Sequence, residues 1–122
     1  MVPCYKQSMP TIHDTIPKTV EGYSYTLFVY DKDDVAQLTM RNAIYLFLEA
    51  PRWQNGRQVY NILYVGQTTE RVCDRMSGHH KWDEAVRRGF RYLAVMQVNA
   101  YSLDRLEREF IAAYHPPLNE KL

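Results

Sequence analysis

The chain is poor in cysteine and in net charge, and both shortages narrow the reading. It has two cysteines among 122 residues, Cys4 and Cys73, with neither metal-ligand nor redox spacing. They read as two reduced thiols of a cytoplasmic protein. The net charge is only +1. No global field therefore advertises a polyanionic partner, and any nucleic-acid contact must come from a local patch. No apolar run approaches transmembrane length, and residues 1–20 lack the apolar core of a secretory signal. Neither a membrane nor an export route is expected. There is no repeat and no low-complexity tract.

What the chain does have is tyrosine, ten in all, and two strand-like stretches around one turn. Residues 43–48 (Ala-Ile-Tyr-Leu-Phe-Leu) and 60–66 (Tyr-Asn-Ile-Leu-Tyr-Val-Gly) flank Gln54-Asn55-Gly56-Arg57. Asn-Gly is the strongest short hairpin signal, because both residues tolerate positive φ in a type I′ turn. A two-residue loop there sets Tyr45 opposite Gly66 and Phe47 opposite Tyr64. Tyr45, Phe47, Tyr64 and Gly66 then share one face, with the Tyr45 phenol uncovered by the glycine. By the same alternation Tyr60 falls on that face too. Pro51 marks a bulge or a longer loop.

Around this hairpin the chain reads simply. Residues 1–22, with Pro3, Pro10 and Pro17, read as an irregular arm. Residues 23–30 are a strand candidate. Short helices are expected over 70–77 and 79–88, the second with Trp82, Ala85 and Val86 facing in; Gly78 and Gly89 stop them. Residues 92–98 are a strand covered on both faces. A last helix runs over 103–114 and ends before Pro116-Pro117. The expected order is β-β-α-α-β-α over residues 41–122, an α+β domain, with residues 1–40 an extension that can add a strand.

Two groups of residues suggest chemistry. On the last helix, Leu103, Leu106, Phe110, Ile111, Ala113 and Tyr114 form an apolar stripe, and Glu107 lies inside it. A carboxylate there needs a charged partner or a metal, whereas Glu109 lies off the stripe and reads as solvated. The second group is Arg71, Arg75 and His79, spaced four apart and on one face if the helix persists. Guanidinium suits a phosphate and histidine exchanges protons near neutrality. Lys81, Arg87 and Arg88 extend this into a modest basic patch for substrate. The pair His79-His80 lacks partners at zinc spacing. A carboxylate, a cation and phenols together suit a phosphodiester: one for a hard metal, one for charge on phosphorus, and phenols to position or activate water.

In order and spacing, Ala43-Ile44-Tyr45, Tyr64-Val65-Gly66, Arg75, His79, Glu107 and Pro116-Pro117-Leu118-Asn119 resemble the GIY-YIG nuclease superfamily. The resemblance spans residues 43–119. It implies a small three-stranded antiparallel sheet flanked by helices. It also implies an endonuclease that hydrolyses DNA with one divalent ion, usually Mg2+, with Mn2+ as substitute. Glu107 would ligate that metal. Tyr45 would position or deprotonate water with Tyr64 beside it. Arg75 would hold the phosphate, and His79 would assist proton transfer or bind phosphate. Gly66 would allow close backbone approach, and Asn119 would order the site. Ala43 and Gln67 depart from the pattern, since a glycine and, in several members, a lysine stand there. The connection between the two tyrosine motifs is longer than usual. The alternative is a non-catalytic nucleic-acid- or protein-binding module that keeps the fold. Target choice would come from the arm, the hairpin, a homodimer or a targeting partner.

Overall fold

Residues expected to form an arm are instead part of the sheet. In the computed structural model, which describes Cys4 and residues 10–119, β1 (Asp14–Val20) pairs antiparallel with β2 (Tyr23–Asp31). Their turn is Glu21-Gly22, with φ of 52° and 82°, the geometry of a type I′ hairpin. Glutamate does not announce such a turn, and Pro17 argues against a strand. Pro17 is tolerated because β1 is an edge strand, where a missing donor can point off the sheet. Apart from Cys4, residues 1–9 of the expected arm lie outside the described residues.

Asp31 then caps a 3-10 helix, Lys32–Gln37, by accepting the Asp33 N–H. The central hairpin follows: β3 (Ala43–Glu49), a short ribbon of β4 (Arg52–Gln54) and β5 (Arg57–Val59), and β6 (Ile62–Thr68). Asn55 and Gly56 have φ of 53° and 78°, as the Asn-Gly turn requires. Tyr45 lies opposite Gly66 and Phe47 opposite Tyr64. Between Phe47 and Leu48 the register shifts, and Leu48 faces Ile62. The extra residue, Leu63, is a bulge. It moves Tyr60 off the Tyr64 face, contrary to the simple alternation. Tyr60 packs instead with the opposite core and donates its hydroxyl to Asp14 at 2.8 Å.

The remaining elements are α1 (Val72–Met76), α2 (Trp82–Arg87), β7 (Phe90–Gln97), a short 3-10 helix (Ala100–Ser102) and α3 (Leu103–Tyr114). The main sheet is antiparallel and five-stranded, in the order β1-β2-β7-β3-β6. The expected three-stranded sheet is therefore too small, because the β1–β2 hairpin pairs onto β7 and widens it. The fold remains α+β. One face carries Tyr45, Phe47, Tyr64, Leu93 and Val95, covered by Val35, Val72, Met76 and Ala85. The other carries Ile44, Leu46, Val65, Ala94 and Met96, covered by Leu103, Leu106 and Phe110 of α3. With helices on both sides, β3 and β7 are apolar almost throughout. Val86, expected to face in, is exposed. No helix among the described residues is long and apolar enough to cross a membrane.

The cysteines also differ from expectation. Cys4 and Cys73 form a disulfide across 69 positions, joining the N-terminal stretch to α1. The spacing gave no hint, since the pairing depends on where the chain folds back. It removes the ground for reading a reducing compartment. In the chain-entropy picture a link of this span stabilises by about 4 kcal/mol. Thiol titration of the oxidised protein should find no free thiol and, after dithiothreitol, two; the urea midpoint should fall on reduction. An unchanged midpoint would show that the link contributes nothing to stability.

Candidate active site

The site forms around β6 because β6 is the other edge of the sheet. Side chains from both faces can meet around an edge strand, and Gly66 puts no side chain in their way. A Cβ at Gly66 would sit 2.4 Å from Cζ of Tyr45. The Tyr45 ring therefore lies flat across the glycine. It is 0% exposed, so the expectation of an uncovered phenol is corrected: the ring uses the space the glycine leaves and is sealed by His79.

His79 does not extend α1. That helix ends at Met76, and Gly78 turns the chain with φ of 72°. His79 therefore sits in the turn before α2, and the expected single face of Arg71, Arg75 and His79 does not exist. The turn points the imidazole inward, where it is only 5% exposed. Its Nδ1 accepts the backbone N–H of Lys81 at 3.0 Å. The proton of the neutral ring is thus on Nε2, which donates to the Tyr45 hydroxyl at 2.8 Å. This leaves the phenol's own proton for another acceptor. Burial, with Arg75, His80 and Lys81 nearby, pushes the His79 pKa down from 6.5 to about 3.

Tyr64 completes the aromatic group, its ring centre 6.3 Å from Tyr45 and 5.3 Å from His79. Burial raises the pKa of both phenols, Arg75 opposes that rise, and Glu107 adds to it. Arg75 thus lies within electrostatic reach of both phenols, His79 and Glu107. It forms no ion pair among the described residues.

Glu107 reaches the same edge from the opposite face, on α3. It is half-buried, as the apolar stripe predicts. Desolvation raises its pKa, and a hydrogen bond from Gln67 works against that rise. Gln67 Nε2 donates to Glu107 Oε1 at 2.8 Å and to Asp104 Oδ1 at 2.6 Å. Asp104 escaped the sequence reading, although it stands three residues before Glu107 and so on the same side of a helix. Gln67, noted only as a departure, is the residue that holds both carboxylates. Both carboxylates thus accept from one amide nitrogen, and an amide N–H is no metal ligand, so a hard divalent ion at this point would displace Gln67 Nε2 or meet the amide through its oxygen. Glu107 and Asp104 supply carboxylate oxygens, the atom type such an ion takes.

Asn119 sits beside the edge. Its side-chain amide bonds both ways to the Val65 backbone, accepting from N–H and donating to C=O at 2.9 Å each. It fixes the strand between Tyr64 and Gly66 as a backbone brace. Of the other expected contacts, Arg71 is held by Asp74 at 2.8 Å on the exposed side of α1, away from the phenols. Lys81 lies beside His79 and approaches Glu84 at 3.7 Å. Arg87 and Arg88 are exposed at the end of α2, outside the cluster.

No family model, curated protein or solved structure matches this chain.

The neutral state of His79 carries a test. The unfolded chain takes up a proton below pH 6.5, whereas the folded chain takes one up only near pH 3. Stability is therefore full above pH 6.5 and falls as pH drops toward 3. By pH 4 the expected loss is about 3 kcal/mol. Urea titrations of wild type and His79→Gln between pH 4 and pH 8 would measure it, with the slope smaller in the variant. An imidazole that titrates near pH 6.5 by NMR would contradict the assignment.

Proposed function

We propose that this protein is a metal-dependent endonuclease acting on DNA phosphodiesters. The observation that carries the reading is Arg75. It is a cation with no carboxylate partner among the described residues, within electrostatic reach of two phenols and of Glu107. The resemblance of the sequence to GIY-YIG nucleases supports the same chemistry. Glu107, with Asp104 next to it, would hold one Mg2+ or Mn2+. Bound there, the ion would act as a Lewis acid and acidify water.

The protein's own groups do the rest. Arg75 binds the non-bridging oxygens of the scissile phosphate and offsets charge that builds on them. Tyr45, closed from solvent in the free protein, would take the proton of the attacking water once substrate binding admits that water to its hydroxyl, as a phenolate held by His79 Nε2–H and by the field of Arg75. The water oxygen bonds to phosphorus, the bond to the leaving sugar oxygen breaks, and that oxygen is protonated from solvent. Tyr64 orients the water from the side. Asn119 and the Tyr45–Gly66 contact keep these groups in register.

Supercoiled plasmid with Mg2+ or Mn2+ tests the reading. Nicking should require the ion and stop with chelator. Glu107→Gln and Arg75→Ala should each lower single-turnover nicking at saturating protein by roughly 100-fold or more. Glu107→Gln should retain DNA binding. A wild type that binds duplex without ever nicking it would replace this reading with the binding module. Wild-type turnover by Glu107→Gln would remove the metal assignment.

Tyr45 gives a second test. Its raised pKa keeps it protonated at neutral pH, so the fraction able to accept a proton grows with pH. Single-turnover rates should rise about tenfold per unit between pH 7 and pH 9 without a plateau. Tyr45→Phe should lose both the rate, by roughly 100-fold, and that slope. It should also lose about 1–3 kcal/mol of stability, because His79 Nε2–H is left without its buried acceptor. A folded Tyr45→Phe with the wild-type pH profile would exclude the role.

A further inference from the structure

The β4–β5 ribbon belongs to neither core. Arg52 pairs with Val59, Trp53 with Gln58 and Gln54 with Arg57, in a two-stranded sheet of its own. Every residue from 52 to 58 is exposed. Trp53 is 72% exposed, a large apolar ring held in water on a projecting element. Alternation along the ribbon puts Arg52, Gln54 and Arg57 on one side and Trp53 and Gln58 on the other. Arg52 is steadied by Asn61 at 3.0 Å, while Arg57 forms no ion pair among the described residues. From residue 50 to 69 there is no Asp or Glu, and both charges are arginines. The ribbon is thus locally cationic in a chain of almost zero net charge.

We infer that this ribbon seats in the major groove of B-form DNA and is the element by which the chain grips and reads duplex. The substrate class rests on the nuclease reading; the role of the ribbon rests on its own geometry. A B-form major groove, about 12 Å wide, admits a two-stranded ribbon, whose strands lie about 4.8 Å apart. With the Trp53 side turned to the bases, Gln58 is a side chain that bonds adenine edges in pairs, while Arg52 and Arg57 on the other side reach the phosphate backbone. Trp53 offers a flat apolar surface to thymine methyls. Eight residues separate Tyr45 from Trp53, at most about 26 Å of strand. The ribbon therefore contacts bases within one helical turn of the cut. The A-form groove of duplex RNA is too deep and narrow for it.

The test is binding, measured in chelator so that cleavage plays no part. Labelled DNA duplex, the matching RNA duplex and single-stranded DNA are titrated by anisotropy with wild type and with Trp53→Ala/Arg57→Ala/Gln58→Ala. All three positions are on the surface, and a urea midpoint confirms the fold. Affinity for DNA duplex should fall about tenfold or more, and the salt slope by about one, as Arg57 is removed. RNA duplex and single-strand affinities should not change. Equal DNA-duplex affinity for the two proteins overturns the inference, as does an equal loss on RNA duplex or no duplex binding by wild type. A wild type that fails to nick plasmid but loses duplex affinity with the ribbon overturns the nuclease reading and supports this one. A wild type that nicks while the ribbon variant binds equally well overturns this one alone.

Discussion

The pairing of Tyr45 with Gly66 is the constraint on which the site depends. Strand side chains alternate, so a slip of one residue between β3 and β6 would put the two phenols on opposite faces. The turn at Asn55-Gly56 and the bulge after Phe47 hold the phase at one end of the hairpin. At the other end the glycine itself does so. Its missing side chain is the room in which the Tyr45 ring lies, and any larger residue would force ring or strand to move. From that position the hydroxyl meets His79, and the histidine's place between α1 and α2 follows.

The edge position of β6 explains a second property. Tyr45, Tyr64 and Arg75 belong to one layer of the protein and Glu107 to the other. In the middle of a sheet these layers are separated by strands, and their charges would not act on one another so directly. At β6 only one strand lies between them, and Gln67 on it reaches over to α3. The acid and the cation thus stand on helices of opposite layers and still act on one another, and Asn119 braces the edge strand.

Much of this was legible because local rules and tertiary packing agreed. The Asn-Gly turn announced its register, and the apolar stripe of α3 announced that Glu107, and not Glu109, would be half-buried. What stayed hidden was set by contacts across the chain or by backbone that the residues do not advertise. Glu21-Gly22 adopts a turn that glutamate rarely begins, and Pro17 disguised the strand before it. The inward seat of His79 depends on a left-handed glycine, where a helical extrapolation carried the residue outward. The pairing of Cys4 with Cys73 and the grip of Gln67 on two carboxylates are meetings of distant segments, which spacing alone does not encode.

The two borders of the main sheet have a consequence for the protein in crowded solution. β1 carries Pro17, which cannot donate to an incoming strand. Along β6, the Leu118 N–H bonds to the Leu63 carbonyl, and Asn119 occupies both backbone groups of Val65. An unguarded border is a template on which a second molecule can lay down its own strand, and from such a seed fibrils grow. Here one border is blunted by a ring and the other is occupied by the chain's own C-terminal stretch. Growth by strand addition is thus disfavoured at both borders of the main sheet.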